Sequence, residues 1–283
     1  QKWNRELLER LEIPDVLPEI NKHGSIIGKM KKDIFEDTCL GQTPVRLVAG
    51  HDTSSALLSV PSIDRKEILY ISCGTWVMVG CFLDEPLINR EVFCLKFSNE
   101  LGFNNEINFL RFHTGLWILQ ECAREWLIEG YIINYDELEE EAFEKNICSY
   151  INPDSEEFSI SGNMPMKVVE YCRKTSQEIP KSRGEIYACI INGLVMVIEQ
   201  SIQCIKNLVP RKYNRIHILG GGVKDRYLCT CLQKVTKMDV YAGPVEATAI
   251  GNIAAQLIAM GELEDIKEVA VLINESFPPV IYS

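Results

Sequence analysis

Residues 215–260 alternate between short apolar runs and longer amphipathic segments, and this order leaves few folds open. The runs RIHILG (215–220) and VYAG (240–243) predict buried strands, because both are short, apolar and end in glycine. The segments after them predict helices, and Gly261 is a predicted helix C-cap. A strand–helix–strand–helix order requires parallel pairing, since each helix returns the chain to the end where the strand began. The sequence therefore predicts an α/β layer.

Further strands and helices are predicted upstream. Residues 67–83 predict two strands joined at a Gly-Thr turn, and a similar pair is expected around residues 92–112. Helices are predicted at residues 3–12, 115–131 and 185–208, where apolar residues recur at helical spacing.

The composition narrows the classes of function. Of the 283 residues, 46% are hydrophobic, which suffices for one large domain or for two. The net charge of −11 argues against non-specific binding to nucleic acid or to an anionic membrane. The sequence has no uninterrupted run of about 18 apolar residues that would predict a membrane span. Eleven cysteines without a CxxC pair predict buried thiols in a reducing cytoplasm, and four scattered histidines predict no metal cluster.

The first segment that could carry chemistry is AGHDTSSA (49–56). The overlapping run VRLVAG (45–50) predicts a buried strand, and Asp52 then opens a predicted short helix. Folds of the α/β class place ligands at the ends of parallel strands, where a carboxylate can accept a proton from a hydroxyl. Aspartate is also a preferred helix N-cap, which is the favoured meaning from spacing alone. Both interpretations stay open at this point.

Two glycine-containing turns are the other candidates. The turn in SCGTW (72–76) would expose amides and a hydroxyl to a phosphate oxygen, although a plain hairpin turn is the more common meaning. The loop Gly220–Gly222 would let a ligand touch the backbone at a helix N-terminus, with a tight structural turn as the alternative. It lacks the G-x-G-x-x-G spacing of dinucleotide folds, and Asp239 precedes the next strand instead of ending it. Asn99 and Glu100 are predicted in a loop, where they could be polar site residues, although solvated side chains are the more common meaning.

Taken together, several stretches resemble the FGGY family of carbohydrate kinases and, within it, the rhamnulokinases most. The matching stretches are GHDTSSALLSVP, YISCGTWVMVG, GLWILQ, HILGGG and YAGPVEATAIGNIAAQLIA, of which the last is the most specific. The resemblance covers nearly the whole of this chain, but only about the second half of a full kinase.

The resemblance implies a role for each candidate residue. Asp52 would be the catalytic base that takes the proton from the sugar hydroxyl, with His51 and Thr53 beside it on the sugar side. The implied nucleotide-binding residues are Gly74, Thr75, Gln120, Gly220, Gly221 and Gly222. ATP and Mg²⁺ are the implied cofactors, with no side chain of this chain assigned to the metal. The implied substrate is a ketose similar to rhamnulose.

The implied fold is α/β of the actin-like ATPase type, in which two ribonuclease H-like domains surround a cleft. Residues 1–62 are expected to be the C-terminal remnant of a first, sugar-binding domain, and residues 63–283 to form the complete nucleotide-binding second domain. The sequence departs from the pattern at Phe112, where rhamnulokinases place a sugar-contacting Asn. Fuculose and xylulose are therefore alternative substrates.

The Asp-x-Gly loop, which holds phosphate and Mg²⁺ in this family, does not occur in the sequence. The chain alone is therefore expected to turn over little or no substrate. The alternative function is a non-catalytic nucleotide-binding or oligomerisation module from a truncated kinase, and a homodimer is left open.

Overall fold

The computed structural model describes residues 2–38 and 40–283. Within that part of the chain the strands are β1 (Ile26–Lys29), β2 (Pro44–Arg46), β3 (Ile68–Cys73), β4 (Trp76–Leu83), β5 (Phe97–Leu101), β6 (Ile107–Thr114), β7 (Arg215–Leu219), β8 (Asp239–Ala242) and β9 (Val280–Tyr282). The α-helices are α1 (Arg5–Arg10), α2 (Lys32–Thr38), α3 (Asp52–Leu58), α4 (Arg90–Cys94), α5 (Trp117–Ile128), α6 (Tyr135–Lys145), α7 (Met164–Lys174), α8 (Arg183–Leu208), α9 (Arg226–Thr236), α10 (Ala247–Met260) and α11 (Ile266–Ser276). The strands and helices predicted between residues 67 and 260 all occur.

Seven strands form one mixed sheet in the order β5-β6-β4-β3-β7-β8-β9. Strands β3, β7 and β8 run parallel, which confirms the pairing predicted from the alternation in residues 215–260. Strands β3, β4, β6 and β5 pair antiparallel through short connections, and β9 pairs antiparallel with β8. Because β3 and β7 are parallel neighbours, they end at the same edge of the sheet, and both glycine-containing turns begin there.

One face of the sheet is covered by α8, a helix of 26 residues. It starts at a capping box, in which the Ser182 side chain accepts from the Glu185 amide and the Glu185 side chain accepts from the Ser182 amide. The helix is long and apolar enough to cross a membrane by length and composition, and it is the one such helix among the described residues. In the structure 67% of its most apolar window is buried inside the domain, so α8 serves as the core helix of a folded domain.

Two helices, α3 and α10, pack closely on the opposite face. A Cβ atom built at Gly251 of α10 would lie 1.7 Å from the carbonyl oxygen of Ser55 in α3, so only glycine permits this contact. The small residue Gly251 of EATAIGN (246–252) thus allows a close approach to a helix and not to the sheet. This contact fixes the start of α3 relative to the sheet.

The predicted buried strand at residues 45–50 is wrong. Only Pro44–Arg46 is extended, as β2, and Val45 is 40% exposed. The strand pairs with β1 in a two-stranded sheet that is separate from the main one. An apolar run is buried only when a second layer covers it, whereas β2 pairs with β1 alone and has no buried residue.

The cysteines are only partly buried, contrary to the prediction. Among the described residues ten cysteines are free thiols, and Cys94 and Cys148 are exposed. The thiols of the sheet and core helices, such as Cys73, Cys122 and Cys229, are buried as expected. Cys39 lies outside the described residues.

Candidate functional site

The turn between β3 and β4, formed by Gly74 and Thr75, lies at the carboxyl end of the parallel strand β3. Its conformation is held from the start of α5: the Gly115 amide donates to the Thr75 carbonyl at 3.0 Å, and the Leu116 amide donates to the Gly74 carbonyl at 2.8 Å. Gln120 on α5 lies beside the turn, because the Thr75 hydroxyl reaches its Oε1 at 3.5 Å. Three of the predicted nucleotide-binding residues are therefore neighbours.

The glycine loop Gly220–Gly222 lies next to this turn. A Cβ atom at Gly220 would approach the Cys73 carbonyl oxygen to 2.9 Å, and one at Gly222 would approach the Cys73 sulfur to 2.5 Å. Gly220 also has a φ of 82°, a left-handed conformation that glycine adopts without strain. Packing against β3 thus explains two of the glycines without any ligand. It also places the loop directly beside the 74–75 turn, so all six predicted nucleotide-binding residues meet at one edge.

After the glycine loop, Asp225 is the N-cap of α9. Its Oδ1 accepts from the Leu228 amide and from the Tyr187 hydroxyl, both at 2.7 Å. Burial raises the pKa of this carboxyl, and the hydrogen bonds from Leu228, Tyr187 and Tyr227 only partly offset that. The role that the structure gives Asp225 is thus to fix the helix that follows the loop.

Asp52 occupies the first position of α3 and is not the N-cap, which is His51. The Asp52 carboxylate accepts from the amide of the adjacent Thr53 at 2.7 Å, whereas an N-cap side chain would bond one or two residues further on. Its side chain is 78% exposed. The carboxylate is therefore open to a ligand, and the end of α3 does not depend on it as a cap.

His51 and Glu100 complete a polar group around Asp52. The His51 ring lies 3.2 Å from Asp52 through Nε2 and 3.7 Å from Glu100 through Nδ1. Burial raises the pKa of Glu100; the nearby His51 opposes this rise, and the Asp52 charge adds to it. The Oε2 atom of Glu100 is buried without a hydrogen-bond partner. An acidic group of this kind can accept hydrogen bonds from a polyhydroxy ligand.

Asn99 and Glu100 do not lie in the predicted solvated loop but in β5, and they differ in role. Asn99 donates to the Leu87 carbonyl and accepts from the Leu87 amide, each at 2.9 Å, so its amide serves as a structural clamp. Glu100 faces the other way, toward His51. Strand alternation, which puts neighbouring residues on opposite faces, is the one sequence signal for this difference.

Thr53 connects the Asp52 region to the sheet. It is buried, and its hydroxyl lies 3.5 Å from the Met78 sulfur on β4. Met78 pairs with Ser72, next to the carboxyl end of β3, and lies three residues beyond Thr75, a separation of about 10 Å in extended chain. Asp52 and the 74–75 turn are therefore at the same end of the sheet.

An apolar floor, which is the surface formed by Trp76, Met78 and Phe112, lies next to Thr53 and the 74–75 turn. Met78 pairs across strands with Phe112, and Trp76 shares their face because strand residues two apart point the same way. Trp76 is 60% exposed and Phe112 is 41% exposed. Sequence reasoning had not grouped Trp76 or Met78 with the site, since nothing local indicates which strand face meets α3.

No group of three or more His, Cys, Asp or Glu side chains suited to a metal ion occurs within residues 2–38 and 40–283. What the described site offers an anion is the main chain and the Thr75 hydroxyl of the 74–75 turn, beside an exposed Gly221.

Comparison with known proteins gives a consistent result. The family model for the FGGY family of carbohydrate kinases, C-terminal domain, matches residues 69–260, more than half of the chain. The rhamnulokinase of Bacteroides thetaiotaomicron is 37% identical over 260 residues, which cover 92% of this chain and 53% of that protein. The rhamnulokinase of Enterococcus faecalis is 36% identical over 290 residues, covering 100% of this chain and 57% of that protein. The chain thus spans about half the length of the curated relatives that it matches.

Solved structures share the fold at low sequence identity. A ligand-bound xylulose kinase from Lactobacillus acidophilus aligns with a TM-score of 0.68 at 14% identity, over 100% of this chain and 55% of that one. Plasmodium falciparum glycerol kinase with ADP aligns with a TM-score of 0.69 at 13% identity, over 96% of this chain and 54% of that one. These neighbours confirm the predicted α/β class and the actin-like ATPase fold.

Proposed function

Because this chain belongs to the FGGY family of carbohydrate kinases, through the C-terminal domain of that family, we propose that it is the nucleotide-binding half of an ATP-dependent kinase that phosphorylates a hydroxyl of a ketose. The observation that carries the proposal is the shared edge of the sheet. There the 74–75 turn, Gln120 and the glycine loop surround the end of β3, and the exposed Asp52 stands at the same end.

The nucleotide would be held mainly by the backbone. Thr75 offers a hydroxyl to a phosphate oxygen, and the exposed Gly221 lets a ligand approach the main chain. Mg²⁺ neutralises phosphate charge when it is bound, and it commonly keeps water and phosphate ligands instead of a protein cage. The absence of an acidic cluster among the described residues is compatible with that mode, although the second half of the kinase would have to supply any carboxylate ligand.

Asp52 would act as the general base. Its carboxylate accepts the proton of a sugar hydroxyl while the hydroxyl oxygen attacks the γ-phosphorus of ATP, and ADP leaves. His51 would orient the carboxylate from 3.2 Å, and Thr53 would anchor the helix start on Met78. Among the ketoses a rhamnulose-like sugar is proposed, because the rhamnulokinases above are the relatives that cover nearly all of this chain.

The proposed domain division places residues 1–62 with the sugar-binding half and residues 63–283 in the nucleotide-binding domain. In the first 48 residues many large apolar side chains are exposed, among them Leu11, Val16 and Ile26. Such a surface suits contact with a further folded part of the kinase. We therefore propose that the chain on its own turns over little sugar. The free thiols support a reducing, cytoplasmic location.

The same exposed apolar surface favours a second candidate, a non-catalytic nucleotide-binding or oligomerisation module. Two measurements separate the candidates. Thermal unfolding with MgATP should show stabilisation of this chain under both. A coupled ADP-release assay with rhamnulose, run with an N-terminal half supplied in trans, should show turnover only for the kinase half.

Three results would contradict parts of this proposal. Full turnover by residues 1–283 alone would refute the need for a second half. A lack of any MgATP effect on unfolding would remove the nucleotide site. ATP binding without sugar phosphorylation, in the presence of the N-terminal half, would favour the non-catalytic module.

A further inference from the structure

Three polar side chains form a hydrogen-bonded network on the opposite face of the sheet from Asp52, two of them buried and the third, Asp154, partly exposed. His113 of β6 meets Asp154 through Nδ1 at 2.6 Å and Ser201 of α8 through Nε2 at 2.7 Å. The His113 side chain is 1% exposed, and Ser201 is 0% exposed. A nucleophilic serine would need contact with a substrate, and this burial denies it. The three side chains therefore have a role other than nucleophilic catalysis.

The hydrogen bonds tie the ring to two parts of the structure. The Asp154 carboxylate is an acceptor, so Nδ1 of His113 donates to it. The Ser201 hydroxyl lies 2.7 Å from Nε2 and 2.9 Å from the Val197 carbonyl one helical turn earlier. The ring therefore joins Asp154 to the core helix α8.

The surroundings of Asp154 favour its ionised form. Burial raises the pKa of Asp154, but the hydrogen bonds from His113 and the Thr114 amide, together with nearby positive charge at Arg111, outweigh it, so the pKa lies below its usual value. An ionised carboxylate accepts hydrogen bonds through both oxygens, here from the His113 ring and from the Thr114 amide.

The network of His113, Asp154 and Ser201 ends at the residues that hold the 74–75 turn. The second oxygen of Asp154 accepts from the Thr114 amide at 2.9 Å, and Thr114 pairs with Trp76 in the sheet. The next two amides, those of Gly115 and Leu116, donate to the carbonyls of Thr75 and Gly74. A carboxylate that fixes residue 114 therefore fixes the two donors that hold the turn.

We propose that His113, Asp154 and Ser201 are positioning residues for the 74–75 turn. Their hydrogen-bonded network connects α8, the core helix, to Thr114, shortly before α5, and Gln120 is carried on α5. The consequence for nucleotide binding rests on the proposed function, whereas the effect on the turn itself does not.

The positioning role is tested by amide hydrogen exchange. In Asp154→Asn the amides of Gly115 and Leu116 are expected to exchange about tenfold faster or more, beyond any change in global stability. Ser201→Ala leaves Nε2 of His113 without its partner on α8 and should act in the same direction, which keeps the test usable if the first variant does not fold. Ser149→Ala is the matched control, because it removes another buried side-chain hydrogen bond, to Glu178, away from the turn.

Unchanged protection of Gly115 and Leu116 relative to the Ser149→Ala control would overturn the proposal. MgATP affinity, measured on the same variants, separates the effect on the turn from its consequence for nucleotide binding. Weaker MgATP binding in Asp154→Asn would show that the held turn supports nucleotide binding. If the unmodified chain binds no MgATP while exchange still accelerates in the variants, the proposed function fails and the positioning role stands.

Discussion

Gly222 and Cys73 are in such close contact that a Cβ atom at position 222 would lie 2.5 Å from the cysteine sulfur. At the neighbouring Gly221 the nearest atom, the Cys73 carbonyl oxygen, is 3.9 Å from a Cβ, and this glycine is exposed. Gly222 is therefore required by the packing of the loop on β3. Gly221 leaves the main chain open toward the side where the nucleotide is proposed to bind.

This difference makes the two glycines a matched pair of variants. Gly222→Ala is expected to lower the free energy of unfolding by about 1–3 kcal/mol, because the added methyl group overpacks the contact with Cys73. Gly221→Ala should change it by less than about 0.5 kcal/mol but should weaken MgATP binding. Urea unfolding and nucleotide titration of both variants provide the check. Equal losses of stability would show that both glycines are there for packing alone.

Asp52→Asn tests the proposed base. In the kinase assembled from this chain and an N-terminal half, turnover is expected to fall about 10²–10⁴-fold, because an amide cannot accept the hydroxyl proton. Stability should be unchanged, since the side chain is 78% exposed and an amide oxygen can still accept from Thr53. Asp239→Asn is the control, an exposed carboxylate at the opposite end of the parallel strands. A loss of turnover that is equal in both variants would rule out a specific role for Asp52.

Much of the fold could be predicted because its signals are local. The strand β7, the glycine loop and the helix α9 follow one another within about 20 residues. The connection from β7 to α9 is too short for another topology. The gathering of the 74–75 turn with Gly220–Gly222 also follows once β3 and β7 are known to be parallel neighbours. Only the resemblance to a known family connected Gln120 to that edge.

The features of the fold and the site that were not predicted depend on contacts that a local sequence pattern does not encode. The run around Val45 has the composition of a buried strand, but burial needs a covering layer, and β2 pairs only with β1. Glu100 faces His51 and Asn99 faces Leu87 because of the register of β5 on β6. The contact of His113 with Ser201 joins residues 88 positions apart, so no spacing rule would have found it.

Glu100 should make stability fall as the pH rises. Burial raises the pKa of its carboxyl in the folded state, so between the unfolded and folded pKa values the folded chain binds more protons. The penalty is absent well below the ordinary glutamate pKa of about 4.3 and is complete once the pH exceeds the raised value. Glu100→Gln is therefore expected to raise the midpoint of urea unfolding at neutral pH and to have no such effect below about pH 3. A Glu144→Gln control at an exposed position should leave the profile unchanged, and a stabilisation by Glu100→Gln that persists equally at low pH would contradict the assignment.

Phe112 is expected to set the preference among ketoses. Its ring is 41% exposed and is paired with Met78, which contacts Thr53, so it presents an apolar surface next to the proposed base. An aromatic ring leaves a facing sugar hydroxyl without a partner, and such a hydroxyl costs about 1–3 kcal/mol when it loses its hydrogen bond to water. Phe112→Asn should therefore lower the KM for rhamnulose about tenfold relative to that for xylulose, with MgATP affinity and unfolding free energy unchanged. Phe112→Leu keeps the floor apolar and should leave the ratio of the two KM values unaltered. If Asn and Leu change that ratio equally, the polarity of position 112 does not select the sugar, and ring size alone must explain the effect.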